Sequence, residues 1–139
     1  MFDQSDCRRS LGNGERVDLA KDLVLPTPWV RSRFVAALRC IGVGRAWGAW
    51  QQDPNHSVEL VLPWRFALVS GGNHSITAGI LAQEGTLEVS SVLDLTPLLS
   101  RVYCNGDFFI CQQSNERIAR AKNGRVGAVF EIGRLLLVQ

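Results

Sequence analysis

The sequence predicts an α+β fold, a small mixed sheet with helices packed on it, and three patterns predict it. Val58, Leu60 and Leu62 alternate as a strand does, and Phe66–Val69 follows as a short, more apolar run. Val30, Phe34, Ala37, Leu38 and Ile41 fall on one helical stripe, and Val126, Val129, Phe130, Gly133 and Leu137 fall on a second. Between strand and helix spacing stands the small-residue turn Ser70-Gly71-Gly72-Asn73-His74-Ser75.

In chain order, residues 1–14 end in Leu-Gly-Asn-Gly and read as a flexible N-terminal arm, with 15–139 as a single domain. Glu15 to Val24 reads as a short helix before Pro26. Thr27 reads as a helix N-cap with Pro28 at the first helical position, where a missing N–H costs nothing. That helix should stop at Gly42 or Gly44, leaving Arg31, Arg33 and Arg39 off the apolar stripe as a solvated face. Trp47 and Trp50 read as core aromatics and Gln51–Asn55 as a turn.

After the two strands, Ile76 to Glu84 has helical spacing with Gly85 as its C-terminal cap. Gly79 shares a face with Ile76 and Ile80, where a missing side chain permits close packing. Thr86 to Leu95 reads as one strand and Thr96-Pro97 as the start of a short helix. Tyr103 to Ile110 reads as a hairpin, because Asn105-Gly106 suits a two-residue type I′ turn. A terminal helix as apolar as 126–137 must be covered by its own domain or by a partner chain.

Composition narrows the function classes. The chain has 139 residues, 46% hydrophobic and 20% charged, enough for one domain with a real core. No apolar run approaches the roughly 20 residues of a membrane span, and the polar start is unlike a secretory signal, so the expected location is the cytoplasm. Cys7, Cys40, Cys104 and Cys111 lack metal-ligand spacing and read as reduced thiols, with no metal expected. A net charge of +2 is too small to mark a nucleic-acid binder. Its distribution says more: the middle, 46–100, holds only Arg65 against Asp53, Glu59, Glu84, Glu88 and Asp94. A polyanion at the central turn would need arginines from the flanks.

That turn is the one concentrated chemical signal. Glycines let the backbone approach a ligand closely, and the first N–H groups of the following helix are unpaired at its positive end. Phosphates and carboxylates bind such ends. Asn73 can donate and accept, His74 can exchange a proton near neutral pH, and Ser75 can cap the helix or bond an oxygen. The bland alternative is a tight turn with a capped helix and a satisfied histidine. No Walker loop, dinucleotide fingerprint or serine-hydrolase elbow is present. Asn55-His56-Ser57 echoes Asn73-His74-Ser75, and the echo reads as coincidence because Pro54 places it in a loop.

Phe66 to Leu81 resembles the signature of the ParB/sulfiredoxin superfamily, in which a strand runs through Gly-Gly-Cys-His-Arg or Asp-Gly-His-His-Arg into a helix. The resemblance implies a ParB/sulfiredoxin-like fold with Gly71, Gly72, Asn73, His74 and Ser75 at the phosphate-cradle positions, and a nucleotide as the ligand. Asn73 stands where sulfiredoxins have their catalytic cysteine, which excludes that reaction. Ser75 stands where the family has an arginine. Trp47-Gly-Ala-Trp50, Gly71–Ser75 and Phe130-Glu-Ile-Gly-Arg134 together also resemble a bacterial family of unknown function. Arg134 then becomes the candidate to supply the missing positive charge.

Two functions are expected on this basis. The first is a nucleotide- or phosphate-binding domain, nuclease-like at most, with His74 as the proton-transfer group. The second is a non-enzymatic binding protein of a mobile element, such as an anti-CRISPR inhibitor. It would act on a nucleoprotein complex as a homodimer joined through the apolar C-terminal segment. The missing cysteine and arginine and the acidic middle favour binding over turnover.

Overall fold

The computed structural model describes residues 7–138. Its elements are β1 (Arg8–Leu11), β2 (Arg16–Asp18), β3 (Val24–Leu25), α1 (Arg31–Cys40), β4 (Ser57–Leu62), β5 (Phe66–Gly71) and α2 (Asn73–Ala82). They continue with β6 (Thr86–Glu88), β7 (Ser91–Asp94), α3 (Thr96–Leu99), β8 (Val102–Cys104), β9 (Phe108–Cys111), β10 (Arg117–Arg120) and α4 (Gly124–Leu136). The class is α+β, with one five-stranded sheet ordered β1-β7-β4-β5-β3, one three-stranded sheet ordered β10-β9-β8, and the pair β2-β6. The large sheet is mixed: β4 pairs β5 antiparallel, with Leu60 opposite Ala67, while β3 pairs β5 parallel, with Val24 opposite Ala67. Among the described residues no helix is long and apolar enough to cross a membrane.

The chain divides into two compact units. The first, Ser10–Val61 with Arg65–Val92, holds β4, β5 and α2 almost whole. Its core is Val17, Leu19, Val58, Leu60, Ala67, Ile76, Ala78 and Leu87, all essentially without solvent contact. Gly79 packs closely as its face predicted. A Cβ there would stand 2.6 Å from Leu19 Cδ1 and 2.9 Å from Trp50 Cδ1. The second unit contains Leu62–Trp64 and residues 93–138, with residues 7–9. There α4 lies against β8: Cys104 N donates to Glu131 Oε1 at 2.6 Å, and Phe109 meets Phe130 edge to face at 4.9 Å.

Several expectations are corrected. The arm is not irregular throughout, since β1 occupies 8–11; residues 1–6 lie outside the described residues. Glu15 to Val24 is not a helix. Val17 is buried opposite Leu87 in the β2-β6 pair, and Asp18 Oδ1 accepts from Ala20 N at 2.8 Å, a local turn that competes with helical bonding. Thr27 caps nothing. Its N–H donates to Asn73 Oδ1, and α1 begins at Arg31 behind Val30. Trp50 is core, whereas Trp47 is 64% exposed. The stretch 86–95 is two strands, because Val89 N turns to Glu15 O and Ser90 N to Val58 O.

The hairpin forms with a different turn. Cys104 pairs with Phe109, only Gly106 takes positive φ, and Asn105 Oδ1 accepts from Asp107 N and Phe108 N. A type I′ turn would need positive φ at both central residues. Two helix ends shift as well. α2 starts at Asn73 rather than Ile76, and its C-cap is Gln83 at φ 56°. Gly85, at φ +109°, instead lies beneath the Trp50 ring.

Candidate functional site

Strand β5 ends at Gly71, and the chain enters α2 through Gly72 at φ 76°, a left-handed residue. Both glycines are required by close neighbours. A Cβ on Gly71 would run into the carbonyl oxygen of Asn55, and one on Gly72 into the ring of His56. Asn73, His74 and Ser75 are therefore the first residues of the helix rather than members of a loop. The helix has no side-chain cap and no acidic residue in its first turn.

Each predicted polar side chain is engaged inside the fold. Asn73 Oδ1 accepts from Thr27 N at 2.7 Å. His74 Nε2 accepts from Val30 N at 3.1 Å, so the ring proton sits on Nδ1. The Trp29 ring lies 6.3 Å from that of His74. Asn73 and His74 thus pin the segment that leads into α1, and the atom His74 would use as a base already has a donor. Ser75 Oγ bonds His56 Nε2 and donates to Gly72 O at 3.2 Å.

His56 is the residue that sequence reasoning passed over. It is 6% exposed, packed against Trp50 with ring centroids 5.0 Å apart. Asp53 N donates to its Nδ1 at 2.7 Å, which leaves the proton on Nε2 facing Ser75. Proton order then runs from Nε2–H to Ser75 Oγ, and from the serine hydroxyl to Gly72 O. In this order His56 gives a hydrogen bond to Ser75, the reverse of what activates a serine nucleophile. Burial lowers the His56 pKa, and the Asp53 carboxylate, 3.5 Å from Nδ1, partly offsets that by favouring the charged ring. Trp50 Nε1 completes the cluster by donating to Ser75 O at 2.8 Å.

Arg134, the cation expected at this turn, and Arg65, the one cation of residues 46–100, are held by other groups. Arg134 belongs to the second unit, where its Nη1 meets Glu131 Oε2 at 2.7 Å and its guanidinium lies 5.9 Å from the Tyr103 ring centre. Arg65 pairs with Glu15 at 3.6 Å. Among the described residues no group of three or more His, Cys, Asp or Glu side chains could hold a metal ion. All four cysteines are free thiols. What the site offers chemically is a helix N-terminus whose side chains are bonded within the fold.

Comparison with curated proteins and with solved structures gives no match. A family model does match, over residues 8–139, and it is described as a family of unknown function. The chain therefore belongs to the family of unknown function DUF6710.

Proposed function

We propose that the protein works by binding without turnover, as a homodimer paired through α4. The apolar outer stripe of that helix carries the reading. Gly127, Phe130 and Gly133 face their own unit, against Cys104, Phe109 and Trp64. On the other side Val129, Ile132, Leu135 and Leu136 are 48%, 52%, 66% and 40% exposed. Their spacing of three and four residues aligns them, and no charged residue interrupts the row. A contiguous apolar strip on a small protein marks an interaction surface.

A second copy suits this strip because the same row opposes itself across a two-fold axis. In an antiparallel pair, Arg125 at the start of one α4 meets the carbonyl end of the other, where a cation is favoured. The engaged state of Asn73, His74 and Ser75 supports binding over catalysis. Sedimentation velocity of the full chain is expected to show a dimer. Ile132→Glu, an exposed substitution, is expected to give a folded monomer whose melting temperature, unlike that of the wild type, does not rise with protein concentration. A wild type that stays monomeric at high concentration ends this reading.

A second reading rests on the backbone at α2. The N–H groups of Asn73, His74 and Ser75 have no intrahelical acceptor and stand at the positive end of a ten-residue helix. They favour an anion, and a nucleotide phosphate is the one to test by thermal shift with ATP, CTP and GTP, with and without Mg²⁺. At 100 times its Kd a ligand stabilises by about 2.7 kcal/mol. Asn73→Asp keeps the acceptor for Thr27 and suits the helix dipole, yet sets a carboxylate against phosphate. A shift that disappears in this folded variant supports the site, and no shift in the wild type excludes it.

A further inference from the structure

Residues 23–52 contain Arg31, Arg33, Arg39 and Arg45 and no acidic residue, a local excess that the net charge of +2 conceals. Three of the four lie on α1, which packs on α2 and buries Ala37. The side left to solvent carries Arg31, Val35 and Arg39, four residues apart and so in one row, with exposed Ser32 beside them. Arg33 is exposed as well but lies off that row, on the other flank. Among the described residues Arg31, Arg33 and Arg39 have no ion-pair or hydrogen-bond partner. Arg45 is committed elsewhere: its Nη1 donates to Leu38 O and Ile41 O and closes the end of α1. Glu84, beside it, accepts from Val43 N at 3.0 Å.

The row has an aromatic side chain at each end. Trp29 stands two residues before α1 and is 77% exposed. Trp47, 64% exposed, is tied to the other end, where its backbone N–H donates to Cys40 O at 2.8 Å. Neither indole N–H has a partner among the described residues.

We propose that the solvent side of α1 binds single-stranded nucleic acid, with phosphates on Arg31 and Arg39 and unpaired bases on Trp29 and Trp47. Guanidinium groups match phosphate by charge and by their planar set of donors. Aromatic planes beside a basic track hold single strands, because every unpaired base offers a face to stack on. A duplex keeps its bases paired and stacked inside, so it would use the arginines alone. An anionic bilayer is the poorer partner. A helix lying in a membrane surface buries its apolar side there, whereas in α1 Phe34, Ala37 and Leu38 are already half-buried or buried.

Fluorescence anisotropy of labelled oligothymidylate and oligouridylate with the full chain tests the surface, beside an oligothymidylate–oligodeoxyadenylate duplex and phosphatidylserine vesicles. Single strands are expected to bind about tenfold or more tightly than the duplex. Binding by one of the two single strands and not the other would assign the sugar. Two phosphate contacts predict a slope of about −1.4 in log affinity against log salt, a loss of roughly sevenfold between about 50 and about 200 mM. Arg39→Gln should halve that slope. Arg33→Gln, an equal loss of charge off the row, should leave it unchanged. Trp47→Ala should weaken binding at least about fivefold, and Trp47→Phe should restore most of the loss. All of these positions are exposed, so the variants should melt with the wild type. No binding of either single strand, a duplex bound as tightly, vesicles bound in their place, equal effects at Arg33 and Arg39, or full affinity in Trp47→Ala would each overturn the proposal. Pairing through α4 enters none of these readouts. Arg39 and Trp47 lie more than about 12 Å along α1 from the end that meets Asn73 and His74, so failure here leaves a phosphate site at α2 standing.

Discussion

Gly72→Ala is expected to destabilise the fold by about 3 kcal/mol, far more than a surface alanine should. Two costs add. The first is conformational: at φ 76° an L-residue pays roughly 1–2 kcal/mol for the left-handed region. The second is steric, because the new Cβ would enter the ring of buried His56, which Trp50 holds from another side. Overpacking of this kind costs typically about 1–3 kcal/mol. Gly44→Ala separates the two, since Gly44 has φ +77° with nothing within 4 Å of a built Cβ. It should cost only the conformational part, about 1 kcal/mol. Urea denaturation of both variants decides the matter. Equal losses would mean that His56 does not fill the space beneath Gly72. A larger loss at Gly72 that shrinks in a His56→Ala background would confirm the contact through non-additivity.

How much of this was legible in the sequence depends on the range of the interaction involved. Strands β4 and β5 and helices α2 and α4 announce themselves, because each buries a face whose period lies within ten or so neighbouring residues. Strands β2 and β3 do not. Arg16 finds its partner at Glu88 and Val24 at Ala67, and pieces of three and two residues carry no period of their own. The apolar character of 126–137 was plain, but which half of it faces the unit depends on where Trp64, Cys104 and Phe109 stand. The ParB/sulfiredoxin-like likeness drew attention to Gly71–Ser75, and the helix there begins earlier than its apolar spacing implied.

The central histidine is the instructive miss. The chain has two histidines, and the one in the motif drew all the chemical interest. Yet one signal placed the other. Once 58–62 and 66–69 are read as an antiparallel pair, extending the ladder sets Ser57 opposite Ser70 and brings His56 to the glycine pair; the register then slips by one, which leaves Ser57 opposite Gly71 and His56 against Gly72. A glycine beside a large ring is the expected complement of a close approach. The two copies of the Asn-His-Ser tripeptide meet, with His56 of one bonded to Ser75 of the other.

His56→Ala should accordingly cost roughly 2–4 kcal/mol near neutral pH, more than any change at His74. It strands the Asp53 N–H, removes the donor to Ser75 Oγ and opens a void beside Trp50. The same residue should make the wild type sensitive to acid. In the unfolded chain a histidine takes its proton near pH 6.5, whereas burial holds the folded His56 below that. Below about pH 6.5 the unfolded state therefore binds more protons, and stability falls as pH falls until the folded pKa is passed. Protonation also removes the Nδ1 lone pair, so the Asp53 N–H loses its acceptor. The charged ring would turn that atom to the Asp53 carboxylate, now 3.5 Å away. Urea midpoints measured between about pH 8 and about pH 5 should decline in the wild type and flatten in His56→Ala. If both decline in parallel, the acid-sensitive group lies elsewhere, and the cluster of Trp50, His56, Gly72 and Ser75 is not what couples the strand pair to the start of α2.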